Sequence, residues 1–286
     1  MVAGDSIATI DIAAGALDWR APWFAPYRAN IEQASHGLSD GESVAAAIDR
    51  IGQNANGGTG VRFTASSALP HGHPYESFIA RTGTVPTRDN LHDLFNGLVW
   101  LAFPQTKRLL NRWQSAEIDR AGVAGTRGPL RDALTVLDEN GAFLHAPDAL
   151  WDALAARDWQ RLFIDLRPAW REARLVLFGH ALLEKLTAPR KPIAAHVLRF
   201  EPAGSTSSEL DRGMVQRLSR QELARKPFLP LPVLGVPGWW AQNESPAFYD
   251  DAAVFRPRAQ PPGGAANALN RVAAPPFAAF GSAHHF

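Results

Sequence analysis

The sequence predicts an α+β fold, predominantly helical, with a small hairpin and an irregular Pro-rich strap toward the C-terminus. Three observations carry this. Apolar residues make up 46% and charged residues 20% of the 286-residue chain, proportions ordinary for a globular domain. Leu91 to Phe103 repeats apolar residues at helical spacing. Prolines crowd the segment PFLPLPVLGVPGWW after Lys226, which resists regular helix. We read one domain over 1–258. A low-complexity tail follows over 259–286, rich in Pro, Gly and Ala, whose composition predicts disorder.

In chain order, residues 1–42 read as an irregular arm packed by Trp19, Trp23, Phe24 and Tyr27 and interrupted by Pro22 and Pro26. Ser43 is placed to cap a helix running to Arg50. GQNANGGTG (52–60) is a turn or loop, and Val61-Arg62-Phe63 is extended. Thr87 or Asp89 caps the apolar helix to Phe103, and Pro104 opens another over Gln105–Arg120. Asn140-Gly141, between apolar runs, predicts a hairpin over Leu134–Leu144. Short helices are expected over Pro147–Ala156 and Trp159–Asp165, and longer ones over Trp170–Leu186 and Glu209–Arg225. Ile193–Phe200 reads as a strand.

Several function classes are excluded or disfavoured. There is no cysteine, hence no disulfide, thiol nucleophile or thiolate zinc site. Asp5, Asp11 and Asp18 without a basic run do not make an export signal. No apolar stretch reaches the roughly 20 residues that cross a bilayer. The expected setting is cytoplasmic, away from membranes. A net charge of +1 disfavours broad nucleic-acid binding. Of the 29 basic residues, all but Lys107, Lys185, Lys191 and Lys226 are arginine, so local Arg patches that grip anions remain open.

Chemistry concentrates on the apolar helix. Viewed down its axis, His92 falls inside the apolar arc and Asn96 at its edge, one turn away. Buried polar groups need partners. Either His92 and Asn96 form a structural network, or His92 and Asp93 face a cavity as acid–base groups. Gly97 lowers helix propensity and marks close approach by another segment or a ligand. Arg88, Arg127 and Arg131 form a candidate anion clamp, with Asn96 as a further substrate contact; internal ion pairs are the alternative. His180 and Glu184, one turn apart, are a candidate metal pair. Asp138-Glu139 beside the turn reads mainly as turn capping, since Ala142 and Leu144 offer no oxygens to complete a calcium loop. P-loop, HExxH and GxSxG patterns are absent.

Several long stretches carry a family resemblance. They are YESFIARTGTVPTRDNLHDLFNGLVWLAFPQTKRLLN (75–111), RGPLRDALTVLDENGAF (127–143), FGHALLEKLTAPRK (178–191), LPVLGVPGWWAQN (231–243) and FYDDAAVFRPR (248–258). In these the chain resembles an uncharacterised bacterial protein family of unknown function, DUF3025, from about Trp19 to Arg258. The resemblance implies a bacterial origin and one family-wide domain. It brings no activity, cofactor or catalytic residue.

Three functions compete on sequence alone. The first is hydrolysis of a small phosphate-containing or other anionic substrate, with His92 as acid or base, an arginine clamp and a divalent metal as candidate cofactor. The second is a binding or interaction module in which the same polar clusters are structural. The third is nucleic-acid binding through arginine patches.

Overall fold

Helix α4 (Leu91–Ala102) is packed on several sides because little of its surface prefers water: Asp93 to Trp100 and Ala102 are all buried. It lies in a computed structural model that describes residues 18–54, 58–122 and 128–258. The architecture is mixed α+β and mostly helical, with two small sheets.

A 3-10 turn over Pro22–Tyr27 leads into α1 (Arg28–Ser39) and α2 (Val44–Asn54). The expected irregular arm is therefore corrected: its second half is a helix. Its aromatics do pack inward, Phe24 stacking on Phe95 and Tyr27 meeting Phe103 edge-on. Ser43 Oγ accepts from Ala46 N at the start of α2. Strand β1 (Arg62–Ala65) pairs in parallel with β2 (Thr84–Thr87), and α3 (Tyr75–Thr82) links them.

The cap of α4 is neither expected residue. Asn90 Oδ1 accepts from Asp93 N, while Asp89 accepts from Val44 N and so serves α2. Gly97 does mark a close approach: an added Cβ would stand 2.9 Å from Ile48 Cγ1. Pro104 opens α5 (Pro104–Ala121).

The hairpin over Leu134–Leu144 is not formed. Leu130, Ala133, Leu134 and Leu137 recur at helical spacing and are buried as the inner stripe of α6 (Pro129–Asn140). Gly141 ends that helix and begins β3 (Gly141–His145). The segment 146–173 holds α7 (Asp148–Ala156) and two short helical turns. The expected helix over Trp170–Leu186 is split into β4 (Arg174–Leu177) and α8 (His180–Lys185). Pairing of Arg174–Leu177 with β3 overrides its local helical character.

Strand β5 (Ala194–Arg199) matches its expected place, and α9 (Ser207–Arg217) and α10 (Arg220–Leu223) divide the last expected helix. After them β6 (Leu229–Pro232) closes a sheet of order β4-β3-β5-β6, in which only β3–β5 is parallel. From Asp211 on α9, a carboxylate accepts from Gln105 N and Thr106 N and caps α5. The tail over 259–286 lies outside the described residues. Among the described residues no helix is long and apolar enough to cross a membrane.

Candidate metal centre

Three packed helices supply the site. His92 lies in the first turn of α4, His180 is the first residue of α8, and Glu139 is next to last in α6. Helix α8 packs on both α4 and α6. Gly179 permits this closeness. A Cβ there would stand 2.5 Å from Glu139 O and from Asn140 N, both backbone atoms. Without it the turn before α8 rests on the end of α6.

Each histidine has its Nδ1 committed. His92 Nδ1 is 2.9 Å from Glu184 Oε2, and His180 Nδ1 is 2.7 Å from the main-chain oxygen of Asp138. Both partners are acceptors, which assigns the proton of a neutral ring to Nδ1 and its lone pair to Nε2. Those two Nε2 atoms face each other at 3.1 Å. Glu139 Oε2 lies 3.8 Å from His180 Nε2, and ligand atoms of His92, Glu139 and His180 all fall within 4.8 Å of one another. Two ligands each about 2.0–2.1 Å from a tetrahedral zinc stand about 3.3–3.4 Å apart, close to the spacing of the two rings. The cluster is geometrically compatible with metal coordination.

Electrostatics point the same way. Burial pushes His180 down to about 4, with Asp138 opposing, so that ring is the neutral imidazole, without a second proton, near neutrality. Burial, with the neighbouring Asp138 charge, raises Glu139 above the usual carboxylate range.

The cluster opens on a cavity of about 430 Å³. Lys107, only 5% exposed at its side chain, reaches Asn96 Oδ1 at 2.8 Å and Asp138 Oδ1 at 2.5 Å. Asn96 Nδ2 in turn donates to Tyr75 Oη at 3.3 Å. Glu76 takes a hydrogen bond from Asn111 Nδ2, and burial lifts it to about 7. Of the lining groups, Arg88 pairs with Asp93 and Lys107 with Asp138. Among the described residues that leaves the carboxyls of Glu76 and Glu139 without a bonded lysine or arginine, although Lys107 acts on both through space.

The expected site residues are thus partly gathered. His92, Asp93, Asn96, Arg88 and His180 all line the cavity. The Asp93 carboxylate accepts from both the guanidinium and the main-chain N–H of Arg88. Asn96 bonds Lys107 and Tyr75, while His92 bonds Glu184 and His180. Glu184 sits behind His92, and Glu139 is the carboxylate beside the paired rings. Arg131, on α6, does not line the cavity; Arg127 lies outside the described residues.

Lys107, Glu76 and Glu139 were not singled out as site residues from the sequence. For Lys107 a signal existed. Lys107, Leu110, Asn111 and Gln114 share one face of α5, and all line the cavity. A buried helix face that is mostly polar, carrying a lysine in an arginine-dominated chain, is a site signature.

A family model described as "Protein of unknown function (DUF3025)" matches residues 61–259. The chain belongs to that family, and the match begins well after Trp19. No curated protein and no solved structure matches the chain.

Proposed function

We propose that this member of the DUF3025 family is a metal-dependent hydrolase of a small anionic substrate, holding a divalent ion through His92 Nε2, His180 Nε2 and the Glu139 carboxylate. The observation that carries this reading is the 3.1 Å approach of His92 Nε2 to His180 Nε2, with an acceptor oxygen on the Nδ1 side of each ring. Two facing lone pairs repel unless a positive charge lies between them. An ion there also offsets the carboxyls of Glu76 and Glu139, neither of which is bonded to a lysine or arginine among the described residues.

Two imidazoles and one carboxylate leave an open position, the pattern of catalytic rather than structural zinc sites. An ion so held supplies a polarised water and draws in an anionic group. Glu76, in the same cavity and lifted to about 7, suits the transfer of a proton near neutral pH. His92 has both ring nitrogens engaged and acts in this reading as a ligand, not as the proton carrier its helix position pointed to. The cavity volume suits a small molecule.

The test is turnover. Purified full-length chain, loaded with zinc or manganese, is assayed on p-nitrophenyl phosphate and p-nitrophenyl acetate. Hydrolysis that chelation abolishes and His180→Ala removes is expected. Stoichiometric metal without turnover of either substrate would overturn the hydrolase reading and leave a metal-binding protein.

A further inference from the structure

We propose that Lys107 is the second anchor of the substrate, so that one oxyanion group, phosphoryl or carboxylate, bridges its ammonium and the metal. This rests on the metal reading above and names what the ion would share its ligand with.

Lysine carries three donors. Asn96 Oδ1 and Asp138 Oδ1 take two of those on Lys107. The third remains for the cavity whose wall Lys107 forms. The Trp100 ring, 5.6 Å from the ammonium, flanks it without offering an oxygen acceptor.

Asp138 ties this ammonium to the metal ligands. Its Oδ1 receives Lys107, its Oδ2 is 3.7 Å from His180 Nδ1, and its main-chain oxygen holds the same nitrogen. Asp138 and His180 thus link the ammonium to the place between the two rings. Arg88, the other cation of the lining, is spent on Asp93 and mostly exposed. Lys107 is the buried cation, where a charge-assisted bond is strongest. The same cavity contains Glu76, Asp138 and Glu139, which repel an anion. The oxyanion is accordingly expected to bind only after the metal.

Cobalt(II) reports both steps through its visible spectrum. Cobalt-loaded full-length chain is titrated with inorganic phosphate and, separately, with acetate. We expect at least one anion to perturb the spectrum, which identifies the group the site takes. Lys107→Met should weaken that anion by about tenfold or more while cobalt stoichiometry is kept. Asp138→Asn removes the competing charge but keeps the main-chain carbonyl on His180, and should tighten it. Equal anion affinity in wild type and Lys107→Met, or no response to either anion, overturns the proposal. Should Lys107→Met fail to fold, an Asp138→Asn protein that binds no more tightly overturns it. Failure to bind cobalt at all defeats the metal reading first, and this proposal with it.

Discussion

His92 and His180, 88 residues apart in sequence, meet Nε2 to Nε2 at 3.1 Å, each anchored from behind through Nδ1 by an oxygen. Metal-bound histidines characteristically have their remote nitrogen fixed in this way, which sets the tautomer and aims the lone pair. The relationship therefore implicates Glu184 and the backbone of Asp138 as well as the rings.

Glu184→Gln should weaken metal binding by about 10- to 100-fold with little change in fold stability, because an acceptor oxygen remains but its charge is gone. Competition against a chromogenic chelator measures it. Unchanged affinity would remove Glu184 from the account.

Gly179→Ala places a methyl group against the backbone of Glu139 and Asn140, which cannot swing aside like a flexible side chain. We expect a stability loss of roughly 1–3 kcal/mol together with weaker metal binding. Gly97→Ala, crowding Ile48, should cost stability of similar order and leave metal affinity much closer to wild type. Denaturant titration with metal titration separates the two. Equal losses of metal affinity would contradict the role given to the turn before α8.

Glu76 supplies a pH signature. Burial raises it from 4.5 to about 7, with Asp138 adding and Lys107 opposing. As pH rises across that window the unfolded chain gives up its proton before the folded chain does. The contribution is therefore full below about pH 4.5 and is lost as pH climbs through about 7. Glu76→Gln should leave the acid-side balance alone and gain on wild type by roughly 1–3 kcal/mol by about pH 8. Urea denaturation of metal-free protein at both pH values checks it. A variant-to-wild-type difference that does not change with pH would be the contrary result.

Much of the frame was legible in the sequence. The all-round apolar character of Leu91–Ala102 foretold a buried helix with His92 and Asn96 needing partners. Periodicity failed where tertiary pairing decides. Arg174–Leu177 passes locally for helix, but β3 offers it a ladder and it becomes a strand. At Asn140-Gly141 a strong turn signal hid the helical stripe through Leu137. His180 stood out as a candidate ligand through its spacing to Glu184, but its meeting with His92 and Glu139 was beyond reach, since no spacing rule links the three. The contact depends on Gly179 letting α8 touch α6, a packing event with no local signature.

The most direct test is the metal content of purified full-length chain, by native mass spectrometry after zinc loading, alongside His92→Ala and His180→Ala with circular dichroism confirming the fold. The account predicts one ion per chain in the wild type and loss of that ion in both variants. A wild type that stays metal-free would contradict it, as would an ion kept by both variants.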